Sequence, residues 1–346
     1  MKNPWWTHSL KAIGEKRPWR VYRRRVTAVA TALVVVGVAA GFTVVGCSSA
    51  GSTADAASTS AAMPAVPAVN VSGFPRGQGD GGIFTDRCRF SHEAADDPIL
   101  MPNMAGQSMQ HDFYGNTTTL ASSTASTLLG KPTTCSTSAD DSAYWTPVLY
   151  QNGRPLQPGP ALIYWRQTKA LASMVKPMPA GISLIAGDEK ATQPQSPKVI
   201  RWTCSGDEDA RDATPTPHDC SGGRTLRLVV TFPSCWDGHT LDGAAQTNAV
   251  YPVDGHCPAS HPVVIPQIVF HVNYPTSSAA GLTLSMSPTM QGSTDTSHVD
   301  FINGWNQALL TRNTSVCIAA HLRCGPVTGA GAVPHGPVVT RNRSGS

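Results

Sequence analysis

The chain has 346 residues, with 26 Lys and Arg against 22 Asp and Glu for a formal net charge of +4, and it contains 9 cysteines. The positive balance is local: Lys2, Lys11, Lys16, Arg17, Arg20, Arg23, Arg24 and Arg25 face one acid, Glu15, within residues 1–25, and the rest of the chain is net negative. Charge therefore gives no support to a nucleic-acid-binding surface, and no nucleic-acid partner is expected.

Behind the basic segment, residues 26–46 carry no charged side chain. Some 21 apolar or small residues at 1.5 Å rise each just span a bilayer hydrocarbon core. The run ends Val44-Val45-Gly46-Cys47, small residues followed by cysteine, which matches the processing site of bacterial lipoproteins. Two readings stay open: a lipoprotein acylated on Cys47, or an uncleaved signal anchor. Either leaves residues 1–25 in the cytoplasm and the remainder at the outer face of the cell membrane, with the ectodomain extracellular.

Residues 47–81 are nearly all small, Pro or polar and are expected to form a flexible linker, and residues 327–346 a flexible tail. Between them, residues 82–326 are long enough for one large core. With Cys47 set aside, eight cysteines remain, Cys88, Cys135, Cys204, Cys220, Cys235, Cys257, Cys317 and Cys324, all inside this region. An even set in an exported chain points to four disulfides, with Cys204–Cys220 and Cys317–Cys324 as the local pairs.

Strand patterns dominate. Leu226, Leu228, Val230 and Phe232 alternate along one face, as do Ile268, Phe270, Val272 and Tyr274, predicting two half-buried strands. Shorter strands are expected at 144–150, 161–165, 199–204 and 282–286. Helix is scarce: Phe301, Ile302, Trp305 and Leu309 fit one helical face, with Asp300 as its cap, and Ser123 to Leu129 fits a couple of turns ended by Gly130. The expected fold is mainly β, a sandwich or jelly roll with long disulfide-stapled loops and one or two short helices.

No G-x-G-x-x-G follows a strand, and no G-x-x-x-x-G-K-[ST], nucleophile elbow, H-E-x-x-H or C-x-x-C is present, which removes the commonest nucleotide-binding, esterase, zincin and redox assignments. Four polar, turn-rich clusters remain: HDFYGN at 111–116, FPSCWDG at 232–238 with Leu241-Asp242-Gly243, CPASHP at 257–262 and HVDFINGW at 298–305. Together with Tyr144-Trp145-Thr146-Pro147, and in this order, they resemble an exported bacterial and fungal domain of uncharacterised function, found beside the cysteine-rich WSC module in some fungal proteins. The resemblance runs from about Asp97 to Cys317. It implies a paired histidine, H-x-H, in the first cluster, where this chain has Met109 and His111, and histidines between Asp242 and Tyr251, where it has none.

His111, His261 and His298 could together hold Zn²⁺ or Cu²⁺ with a position left for water, Asp300 or Asp112 orienting an imidazole. Without a metal, His298 as base with Asp300 or Asp237 as acid, and His111 nearby, would suit polysaccharide cleavage. Trp236, Asn303, Asn116 and His261 are candidate ligand-binding residues, since exposed indoles stack on sugars. The bland reading competes at each position: Asp237 and Asp242 as turn formers, Trp305 as core, histidines as local hydrogen-bonding groups. The function expected first is contact between a membrane-held envelope protein and wall or extracellular polysaccharide. The alternatives are a hydrolase or lyase acting on polysaccharide, with or without a divalent metal, and a structural or protein-interaction module.

Overall fold

A computed structural model describes residues 80–206 and 212–326. The basic segment, the apolar run 26–46, Cys47, most of the linker and the tail lie outside the described residues. Among the described residues no helix is long and apolar enough to cross a membrane.

Two large sheets make a sandwich. One has six strands in the order Arg323–Pro326, Asp80–Cys88, Ala161–Thr168, Gln267–Asn273, Leu226–Thr231, Ile200–Cys204, and the other five in the order Phe90–Ala94, His111–Gly115, Ala143–Pro147, His298–Ile302, Ser183–Gly187. Neighbours pair antiparallel except Arg323–Pro326 beside Asp80–Cys88. Alternation places Ile163, Trp165, Leu228, Val230, Ile268 and Phe270 of the first sheet, and Tyr114, Tyr144, Val299 and Phe301 of the second, in one core. Aromatic rings join the layers, with Tyr114 and Phe270 centroids 5.4 Å apart and Trp165 and Phe301 5.7 Å apart, both near edge-to-face.

Both long alternating segments are strands with the expected inward faces. The Leu226 strand departs from a half-buried pattern, because Arg227, Val229 and Thr231 on its other face are buried as well. The expectation of a helix through Phe301 fails. Residues His298–Ile302 form a central strand, and the helix starts later, at Gln307–Asn313, capped by Asn306, whose side chain accepts from the Leu309 amide. Apolar spacing over 301–309 was compatible with one helical face, but β-bonding on both edges of the strand decides in favour of sheet. Trp305 is buried in the core, as its apolar neighbours suggested. The turn at Ser123 to Leu129 is a one-turn helix, Ala125–Leu128.

All eight cysteines of the domain are paired: Cys88–Cys135, Cys204–Cys220, Cys235–Cys257 and Cys317–Cys324. The two local pairings match the spacing argument, and four disulfides fit an oxidising compartment.

What positions the site is a second, smaller core on the far face of the five-stranded sheet. Phe113, Trp145, Ile185 and Ile302 point there and are roofed by Ile99 and Leu128 from the loops that flank the His111 strand. Side chains two residues along each strand share that face. His111, His298 and Asp300 are therefore carried onto the same side of the sheet, under the 95–110 loop.

Candidate metal centre

In the strand pairing, His111 stands opposite Pro147, and Asp300 stands opposite Trp145 on one neighbour and Ile185 on the other. The two histidine strands flank the Ala143–Pro147 strand, so His111 and His298 lean toward one another across it, ring centroids 5.9 Å apart and planes at 81°. One potential ligand atom from each of His111, His298 and Asp300 lies within 4.8 Å of the others, and all three residues have no solvent exposure.

The hydrogen bonds fix which imidazole atom is offered. His111 Nδ1 donates to the Asp96 carbonyl at 3.0 Å and His298 Nδ1 to the Thr296 carbonyl at 2.8 Å. A carbonyl oxygen only accepts, so each Nδ1 carries the proton, and in the neutral ring Nε2 keeps its lone pair. Burial holds His111 neutral, its pKa pushed down to about 3, with the nearby His298 adding to the effect against the Asp96 carbonyl. Burial also lowers the pKa of His298, opposed by the Thr296 carbonyl, Glu189, Asp97 and Asp188.

Both Nε2 atoms and both oxygens of Asp300 are buried without a hydrogen-bond partner among the described residues. His298 Nε2 and Asp300 Oδ2 approach to 3.5 Å, too long for a hydrogen bond. Burial, with the charges of Asp97 and Glu189, raises the Asp300 carboxyl well above its ordinary range. Buried polar atoms are normally paired, since each orphan costs roughly 1–3 kcal/mol. Four such orphans on three residues whose ligand atoms gather within 4.8 Å are what a bound ion would relieve.

Other side chains brace this geometry. Thr146 Oγ1 donates to the His298 carbonyl at 2.8 Å. Gln195 Nε2 donates to the carbonyls of Asp295 at 2.7 Å and Ser297 at 2.8 Å, pinning the turn that delivers His298. A cleft of about 420 Å³ lies among segments that precede His111 and His298, lined in part by Asp97, Met101, Met109, Glu189, Lys190 and Met286.

A family model described as a domain of unknown function, DUF1996, matches residues 97–305. The chain belongs to this family. No curated protein and no solved structure matches it. The DUF1996 match runs from the cleft residue Asp97 to Trp305 and so takes in all three members of the buried group.

The remaining site candidates of this DUF1996 chain lie apart from the group or are otherwise engaged. His261 is not a member: its Nε2 bonds the Thr247 carbonyl at 2.7 Å and its Nδ1 the Ser260 hydroxyl at 2.9 Å, both local contacts. Asp112 cannot orient an imidazole there, because adjacent strand residues face opposite ways and its buried carboxyl is on the inner side of the sheet. Backbone carbonyls do that work instead. Asp237 forms a turn, accepting from the His239 and Thr240 amides. Desolvation opposes its ionisation, but hydrogen bonds from Thr240 and His239 hold its pKa at about 2, too low for a general acid near neutrality.

Asn116 donates to the Leu128 and Asp141 carbonyls, and Asn303 to those of Met178 and Pro179, both buried and staple-like. Trp145, Trp165, Trp202 and Trp305 are fully buried and offer no face to a sugar ring. Trp236 is half-buried with its indole N–H donated to Thr240 O at 2.7 Å. Two further polar groups, Asp86 with Cys88, Cys135 and Asp140, and Cys204 with Asp212 and His218, include cysteines already spent in disulfides.

Proposed function

We propose that this exported domain is a metal-binding module, with a transition-metal ion held by His111 Nε2, His298 Nε2 and Asp300. The observation that carries the reading is the pair of imidazoles whose Nδ1 protons are tied to carbonyls while both Nε2 atoms and both Asp300 oxygens are buried and unpartnered, on three residues whose ligand atoms gather within 4.8 Å. Carbonyl-oriented histidine is the arrangement that metal ligands adopt. Two imidazoles and one carboxylate leave coordination positions open to a further ligand, and the set suits zinc, iron or copper better than magnesium or calcium.

A metal-free acid and base acting on a polymer fits less well. The two carboxyls or their equivalents that flank a glycosidic bond need roughly 5–9.5 Å between them to admit a sugar. His298 and Asp300 are 3.5 Å apart with no exposure. Tethering at the outer face of the membrane, by Cys47 or the apolar run, completes the proposal and would keep the metal centre outside the cell.

The test is metal content. Purified full-length protein, stripped with chelator and reloaded, should retain about one equivalent of transition metal, and His298→Gln and Asp300→Asn should lose it while keeping four disulfides and native near-ultraviolet circular dichroism. A wild-type chain that retains no offered metal overturns the reading.

A further inference from the structure

Nine methionines are spread over the chain, yet five of them fall in two short stretches, Met101, Met104 and Met109 just before His111, and Met286 and Met290 a little before His298. The fold brings these stretches to the same cleft, whose lining includes Met101, Met109 and Met286. Met104 and Met290 stand open to solvent, 40% and 63% exposed.

Short links tie this sulfur to the buried imidazoles. Met109 is two residues before His111 on the chain. Met286 Sδ accepts from Thr296 Oγ1 at 3.3 Å, and the carbonyl of the same Thr296 receives His298 Nδ1–H. Met286 N in turn donates to the Met290 carbonyl at 2.8 Å, which holds the two together. Asp97, Glu189 and Lys190 share the cleft lining, and Lys190 pairs with Glu189 at 3.1 Å, so Asp97 is the lining's one acid without a basic partner there.

We propose that the ion is copper, held as Cu(I) jointly by thioethers of this cleft and by His111 and His298, an inference that rests on the metal-binding reading above. Thioether sulfur is a soft ligand that selects Cu(I), and it adds little for zinc, iron, magnesium or calcium. Imidazole accepts copper as readily as zinc, so thioethers placed beside two imidazoles favour copper. A purely apolar role accounts for methionine in a core gap. It gives no reason to bring three of the nine to the lining of one cleft and leave Met104 and Met290, on the same two stretches, exposed.

The experiment compares two metals on the full-length protein. Stripped protein is loaded anaerobically with Cu(I) against the competing chelator bicinchoninate, and separately with Zn²⁺ against a zinc indicator. The variants are the wild type and a Met101→Leu, Met109→Leu, Met286→Leu triple substitution, which conserves volume and apolar character. The expected result is one Cu(I) held by the wild type, at least tenfold weaker Cu(I) retention in the triple variant, and no change in any Zn²⁺ retention. X-ray absorption at the copper edge should show sulfur beside nitrogen in the wild type and lose the sulfur in the variant. A triple variant that holds Cu(I) as tightly as wild type, or a wild type that keeps Zn²⁺ and not Cu(I), overturns the copper assignment and leaves the metal reading standing. Retention of neither metal removes both.

Discussion

Gly187 stands directly opposite His298 in the antiparallel pairing of their strands, and it does so at a φ of +98°. A Cβ built there would lie 2.5 Å from Ser297 O and 2.9 Å from His298 Cα. The absence of a side chain at 187 is therefore part of how His298 is placed. Gly187→Ala is expected to destabilise the domain by about 1–3 kcal/mol, through strained backbone and displacement of the facing strand. Urea unfolding would measure the first effect and metal retention the second. An alanine variant with wild-type values for both would show that His298 is located by other contacts.

Gln195 acts one step further out. Its amide bonds the carbonyls on either side of Thr296, the residue whose own carbonyl orients His298. Gln195→Ala should leave the sandwich folded, since the side chain belongs to neither core. Metal affinity should nonetheless fall by roughly 10-fold or more, the usual consequence of loosening an outer partner of a metal ligand. Gln195→Glu, which keeps the acceptor but removes the donor, should resemble the alanine variant. Equal affinity in all three chains would mean that the turn holds itself.

The sequence made the sheet legible where period 2 ran unbroken, as in Leu226 to Phe232 and Ile268 to Tyr274. It misled where the run was short: Phe301 to Leu309 carries apolar residues at spacings a helix also uses, and only the partner strands on both sides of His298–Ile302 settle the matter. Two of the three residues of the candidate site, His111 and His298, could be picked by residue type and Asp300 by its neighbourhood. His261 was grouped with them on type alone, because nothing local reveals that its nitrogens are satisfied by Thr247 and Ser260. The carbonyls of Asp96 and Thr296 had no signal at all, since every residue has one. Met109, Met286 and Gly187 acquire meaning from strand register and loop placement, which are long-range facts.

The disulfides should contribute unequally. Cys88–Cys135 closes a separation of 47 residues and Cys317–Cys324 one of 7. In the chain-entropy description the cost of a free loop grows as (3/2)RT ln n, so the longer bridge should stabilise by about 1.7 kcal/mol more than the shorter. Paired Cys→Ala variants of each bridge, compared by denaturant unfolding, check the ordering. Cys88 and Cys317 are both fully buried, so the void that either variant leaves in the core does not alter this ordering. A larger loss from the Cys317–Cys324 pair would point to a special role for the last strand.

Stability should also depend on pH through two opposed sets of groups. Asp86 and Asp140 are fully buried, and Asp140 accepts from the Tyr144 hydroxyl at 3.0 Å. Burial raises both carboxyl pKa values, and the charge of Asp86 raises that of Asp140 further. The folded state thus keeps protons that the unfolded chain releases near 3.8, so this contribution is complete below about pH 4 and is lost as pH rises through the folded value. Asp140→Asn should gain on the wild type as pH increases from about 4, by at most about 1.4 kcal/mol per pH unit. His271 works the other way. Burial, reinforced by Arg227, Arg201 and Arg166, holds its pKa at about 3 against an ordinary 6.5, so its contribution is complete above 6.5 and is lost as pH falls toward 3. His271→Gln should therefore flatten the acid side of the profile and leave the alkaline side unchanged. Unfolding midpoints measured from pH 3 to pH 9 for the three chains separate the effects; a constant offset between Asp140→Asn and wild type across that range would mean that Asp140 is ionised in the folded protein.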